Sequence, residues 1–222
     1  MGSYRLRRLI AVIIMMITLA ITFSKIPADE ILPMPMPAKV SEKASPTLMV
    51  LNELPIKGRA PKTGYTRSQF GDGWGMFLGC DTRNLILARD LKNVITNEDC
   101  KVISGTLYDP YTSKVIHFIR GEQTSDDVQI DHVVALSNAW QTGAQILSPD
   151  DRIRLANDPL NLLAVDGAAN QQKSDGDAAT WLPPNKPFRC QYVSRQINVK
   201  KKYDLWVTQA EYDAMVRVLA KC

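Results

Sequence analysis

The runs Val128-Gln129-Ile130-Asp131-His132 and Leu162-Leu163-Ala164-Val165, the second followed at once by Gly167–Lys173, constrain the fold of this chain most. The two runs read as short strands and Gly167–Lys173 as a short helix. Between them, Val133, Leu136 and Trp140 fall at helical spacing. Ser148-Pro149-Asp150-Asp151 offers a capping serine, a proline at the first helical position and an acid three residues on. That helix must stop before Pro159. Asp81 can cap a helix from about Thr82 to Leu91. Lys101–Leu107 and Ser113–Ile119 flank the turn Tyr108-Asp109-Pro110-Tyr111. Thr208-Gln209-Ala210-Glu211 is a capping box ahead of an apolar face of Tyr212, Met215, Val216 and Leu219. Strands and helices in this order, without βαβ alternation, predict an α+β fold.

The chain of 222 residues has room for one domain and an N-terminal appendage. Arg5-Leu6-Arg7-Arg8 precedes an uncharged run, Leu9–Phe23, shorter than the ~20 residues that cross a bilayer comfortably. Residues 1–23 are therefore expected to be a signal peptide, or an uncleaved membrane anchor, since Thr18-Leu19-Ala20 is a poor cleavage site. Residues 24–45, with Pro33-Met34-Pro35-Met36-Pro37, read as an extended linker. Residues 46–222 form the expected folded domain, secreted or held at the outer face of the membrane. Four widely spaced cysteines without a Cys-x-x-Cys pair agree with export. Of three connectivities, Cys80–Cys100 and Cys190–Cys222 are expected, because each closes a local loop. The 27 basic residues include Arg5, Arg7 and Arg8, so the remainder is nearly balanced against 23 acids. An electropositive groove must then come from local clustering.

The chemistry concentrates in Asp131-His132, Asn161, Asn170 and Lys173. Only two histidines are present, which excludes a multi-histidine zinc set. Hydrolysis of a phosphodiester needs a base that is neutral near pH 7, and histidine is suited to that role. It also needs charge neutralisation on the phosphate, which a hard cation on oxygen ligands provides. In an extended strand Asp131 and His132 point to opposite faces. Both can serve one site only if the strand ends in a loop that brings them together.

This constellation resembles the HNH, or ββα-metal, nuclease motif. With Asp131-His132-Val133-Val134-Ala135-Leu136, Asn157-Asp158-Pro159-Leu160-Asn161 and Trp181-Leu182-Pro183-Pro184, the chain is similar to the HNH-type domain of GmrSD-like restriction enzymes. The similarity extends to small secreted bacterial proteins that carry that domain alone. The resemblance implies a ββα-metal core embedded in a larger helical and hairpin domain. It implies His132 as general base, and Asp131 and Asn170 as ligands of one divalent ion, Mg²⁺ with Mn²⁺ as alternative. Asn161 would fix the loop that carries His132, and Lys173 would sit near the scissile phosphate. The last motif position is often histidine in HNH proteins and is Asn170 here, which favours a hard ion over zinc. DNA, with RNA as a second substrate, is the implied partner, cut with little sequence preference to 5′-phosphate and 3′-hydroxyl ends.

Arg83, Arg189, Arg195 and Lys200 are the expected phosphate contacts, the last three from the dense basic stretch between Lys186 and Lys202. A solvated helix face is the plainer account of that stretch. Arg83 and Arg120 resemble family positions outside the motif, where a structural ion pair is the equal alternative. Asp175 and Asp177 read as loop caps, His117 as a strand residue, and Trp140 and Trp181 as core. The rival from another class is a non-catalytic binding protein that retains the HNH fold. A hydrolase of a different phosphodiester, such as a lipid or teichoic-acid linkage, would use the same residues.

Overall fold

The computed structural model describes residues 45–121 and 124–222. The expected export segment, and the expected linker up to Ser45, lie outside the described residues. Helix α1 (Pro46–Asn52) opens the described chain, with a proline in its first turn and Leu51 fully buried. A 3-10 turn at Arg67–Phe70 leads to a hairpin of β1 (Met76–Phe77) and β2 (Cys80–Asp81). The Asp81 carboxylate accepts the Asn84 N–H at 2.8 Å and so starts α2 (Thr82–Asp90). An antiparallel meander follows: β3 (Lys92–Thr96), β4 (Val102–Tyr108) and β5 (Val115–Ile119). Strand β3 has no sequence signal of its own, because it is a largely exposed edge strand with little apolar pattern.

Strand β6 (Val128–His132) is separated from its partner by α3 (Leu136–Gln141), a 3-10 turn (Ala144–Ile146) and α4 (Pro149–Asn157). Ser148 caps α4 by accepting from the Asp151 N–H, as its sequence predicts. Strand β7 (Leu162–Asp166) then pairs antiparallel with β6, Val128 opposite Asp166 and His132 opposite Leu162. Helix α5 (Gly167–Lys173) follows without a break, and Asp166 caps it through the Ala169 N–H at 2.8 Å. Gly167 is required at this junction, because a Cβ there would lie 2.0 Å from the Asp126 carbonyl oxygen. Helices α6 (Arg189–Lys202) and α7 (Gln209–Leu219) complete the chain, which is α+β as expected.

The β6–β7 ribbon divides the interior. Val128, Ile130, Leu162 and Ala164 share one face and pack against α2 and the meander through Ile86, Leu87, Leu107 and Phe118. Leu163 and Val165 share the other face and join Tyr111, Tyr192, Val193, Ile197 and Met215 from the helical side. A third cluster gathers Phe70, Trp140, Leu155 and Tyr203. Trp140 and the half-buried Trp181 are core residues, while His117 lies exposed on β5.

Cys80 pairs with Cys100 and Cys190 with Cys222, the two local bridges. The capping box on α7 forms by half. Thr208 accepts the Glu211 N–H at 3.1 Å, but the Glu211 carboxylate turns inward to Lys200. Burial decides this, since both side chains are wholly enclosed.

Candidate active site

A cavity of about 520 Å³ opens along β6 and is lined by Gln129, Asp131, His132 and Asn170, with Trp74 and Arg83 from earlier in the chain. Strand β6 is bonded to β7 along one edge only. At the other edge both faces of the strand reach the same cavity, so Asp131 and His132 meet there although their side chains diverge.

Helix α5 lies along the Asp131 face in two rungs. The Asn170 amide nitrogen donates to Gln129 Oε1 at 2.9 Å, and Lys173 Nζ donates to Asp131 Oδ1 at 2.9 Å. The spacing follows from residues three apart on a helix meeting residues two apart on a strand. Tyr111, fully buried, donates its hydroxyl to Asp131 Oδ2 at 2.5 Å. Burial pushes the Asp131 carboxyl up, and the Lys173 charge and the Tyr111 hydrogen bond oppose that push without cancelling it. The amide oxygen of the half-buried Asn170 and the remaining lone pairs of Asp131 make a hard oxygen donor set at the cavity wall. These two residues could hold a divalent cation.

His132 occupies the other face. Its ring stacks on Trp74, with centroids 5.7 Å apart and planes 5° from parallel. The Ala156 carbonyl lies 2.9 Å from Nε2 and can only accept, so Nε2 carries the proton and Nδ1 keeps its lone pair. Burial pushes the imidazole pKa down to about 3; the Ala156 hydrogen bond works the other way, and Arg67 and Lys173 add to the depression. The ring is therefore neutral across the physiological range.

Asn161, with no exposed surface, holds the chain that leaves His132. Its side-chain oxygen accepts the Val134 N–H at 2.8 Å, its amide donates to the Val134 and Leu155 carbonyls, and its own carbonyl accepts from Val133. The chain that leaves His132 is thus tied to the start of β7. The expected loop does not bring Asp131 and His132 together, because His132 is still paired with Leu162 inside the strand.

Lys173 is placed differently from what the resemblance implies. Its ammonium is fully enclosed by the Asp131 carboxylate and the His132 carbonyl, so it cannot face a phosphate. The expected substrate contacts also divide. Arg83 lines the cavity, donating to the Ser125 and Val128 carbonyls. Lys200 is wholly buried against Glu211, Asn138 and the Trp206 carbonyl, because it falls on the inward face of α6 with Gln196 and Ile197. Arg195 donates to the Leu160 and Pro159 carbonyls, and Arg189 lies in a separate groove. The cations at the cavity mouth are instead Lys62 and Arg67, both exposed, together with Arg83.

Trp74, Lys62, Arg67 and Tyr111 escape a reading by motif. Trp74 had one signal, an aromatic set among Gly71, Gly73 and Gly75. Tyr111 reads only as part of a turn. Asp177 does cap its loop, accepting from the Ala179 and Thr180 N–H groups and from Arg59. Asp175 sits at the cavity rim with Ser137 and Lys62.

Residues 81–218 match the family model of GmrSD restriction endonucleases, C-terminal domain. An uncharacterized secreted protein of Arthroderma benhamiae is 37% identical over 193 residues, spanning 86% of this chain and 91% of its own length. No solved structure matches.

Proposed function

The chain belongs to the family of GmrSD restriction endonuclease C-terminal domains, and from that membership we propose that it is an exported, metal-dependent endonuclease. Its substrate is the phosphodiester backbone of DNA, with RNA as a second substrate. One observation carries the reading. His132 gives its Nε2–H to the Ala156 carbonyl, which leaves Nδ1 with its lone pair, and the ring lines a cavity with Asp131 and Asn170.

His132 takes a proton from the attacking water at Nδ1. The Ala156 carbonyl stabilises the resulting imidazolium, and Trp74 holds the ring plane. Asn161 keeps the backbone around the base in register. Lys173 and Tyr111 orient the Asp131 carboxylate. Asp131 and Asn170 would hold one Mg²⁺-like ion, which when bound supplies charge neutralisation to the phosphate oxygens. Lys62, Arg67 and Arg83 draw phosphates to the mouth. Contacts of that kind position a backbone without reading its sequence, which fits low specificity. Export is supported by the two disulfides, which persist in oxidising compartments, and by the secreted relative.

The test is supercoiled plasmid with Mg²⁺, an EDTA control and His132→Ala. Nicking is expected in wild type alone, with the substitution costing on the order of 10²–10⁴ in rate. Plasmid left intact by folded, oxidised wild-type protein, or cut equally by His132→Ala, would sink the proposal.

A further inference from the structure

The basic stretch at 186–202 is taken apart by the fold, and part of it is rebuilt elsewhere. Lys186, in a 3-10 turn (Lys186–Phe188), and Arg189, at the start of α6, converge with Arg217 and Lys221 at the end of α7. The four cations line a groove of about 780 Å³ together with Leu182 and Val218. No Asp or Glu lines it. Among the described residues none of the four forms an ion pair. Beyond the N-terminal arginines the charges nearly cancel, so four cations without an ion pair lining one groove make a local anion-binding surface. The amino end of the 14-residue helix α6 opens onto it, without a side-chain cap and without an acid in its first turn. The Cys190–Cys222 bridge ties the two helix ends together, so the groove is formed before anything binds.

A second feature lies largely between the groove and the site in sequence. A smaller cleft lined by Arg59, Gln172, Gly176, Thr180 and Trp181 shares Asp175 with the catalytic cavity. Thr180 and Trp181 of this cleft are chain neighbours of Ala179 and Leu182, which line the groove. We propose that this groove is a second nucleic-acid surface, holding the phosphate backbone of DNA at a distance from the scissile bond. The proposal rests on the reading of the cavity as a nuclease site, and it makes affinity and cleavage depend on substrate length.

The test uses fluorescein-labelled duplexes of about 30 and 8 base pairs, bound in EDTA over a series of salt concentrations and cleaved separately in Mg²⁺. The variants are Arg217→Gln/Lys221→Gln and, independently, Lys186→Gln, each checked for its disulfides and melting temperature. Each neutralised phosphate contact contributes about 0.9 to the slope of log affinity against log salt. The double variant is therefore expected to lower the slope for the long duplex by about 2, and to weaken its binding on the order of tenfold. Lys186→Gln should lower the slope by about 1. Cleavage of the short duplex should be unchanged. Wild-type affinity and slope in both variants would overturn the proposal. So would a double variant that stops binding poly-L-glutamate yet binds the long duplex normally, which would assign the groove to an acidic polypeptide. Wild-type protein that binds the long duplex through these cations but cuts nothing would remove the nuclease reading and leave the groove standing.

Discussion

Lys173 shows how burial changes what a charged side chain does. Its ammonium neutralises Asp131 and satisfies the His132 carbonyl, out of reach of solvent. Lys173→Ala leaves a buried carboxylate with Tyr111 as its remaining side-chain partner, a loss of about 3–5 kcal/mol. The expected result is a clear fall in the urea midpoint together with lost cleavage. A variant with the wild-type midpoint and weakened DNA binding would instead mean a lysine that grips phosphate. Asp158 is the residue that ties stability to pH. Burial acts to raise its carboxyl, but donors from Lys202, the Leu160 N–H and Tyr203 outweigh it and hold it below the usual range. Its contribution is complete above the unfolded carboxyl value of about 3.9 and disappears as pH falls through the lower folded value. Asp158→Asn should therefore be less stable than wild type at pH 7, with the gap closing below about pH 4. Thermal unfolding of both proteins across that range measures it, and a gap independent of pH would contradict it.

At the scale of elements, the contact between α6 and α7 encloses an ion pair, Lys200 with Glu211 at 2.9 Å, beside the apolar cluster the two helices share. Breaking such a pair is expensive, whereas replacing both partners by apolar residues often is not. Glu211→Ala is expected to lose about 3–5 kcal/mol, and Lys200→Met/Glu211→Leu to recover most of that loss. Denaturant unfolding of the three proteins decides the matter. DNA affinity should be unaltered in the double variant, because Lys200 borders neither the catalytic cavity nor the basic groove. Most helix starts were legible in the sequence, since capping by Asp81, Ser148 and Thr208 is a matter of three or four neighbouring residues. Where the Glu211 carboxylate went was not legible, because its partner is set by how two helices pack.

For the molecule as a whole, the two bridges close loops of different size, 20 and 32 residues apart in sequence. Constraint of the unfolded chain gives each about 3–4 kcal/mol, slightly more for the longer loop. Full reduction should lower the melting temperature markedly and reversibly, as calorimetry with and without reductant would show. An unchanged transition would mean that the core alone carries the domain. The Cys190–Cys222 bridge has a further role, fixing the end of α7 against the start of α6 where the basic groove lies.

Legible in the sequence were the order of elements around the site, the α+β class and a preference for two local cysteine bridges, while Asp131, His132, Asn161 and Asn170 were singled out by their resemblance to the family motif. Element order and fold class depend on capping, alternation and short spacing, which act over a few residues, whereas the bridges span 20 and 32 residues. Which cations face the cavity was set by packing between distant segments. Lys200 and Lys173 turned inward, Arg189 turned to another groove, and Lys62, Arg67 and Trp74 arrived from a segment about sixty residues upstream of His132. The orientation of a long basic side chain is set by which face of its helix is buried. That choice is made by contacts between residues distant in sequence, and no local pattern encodes it.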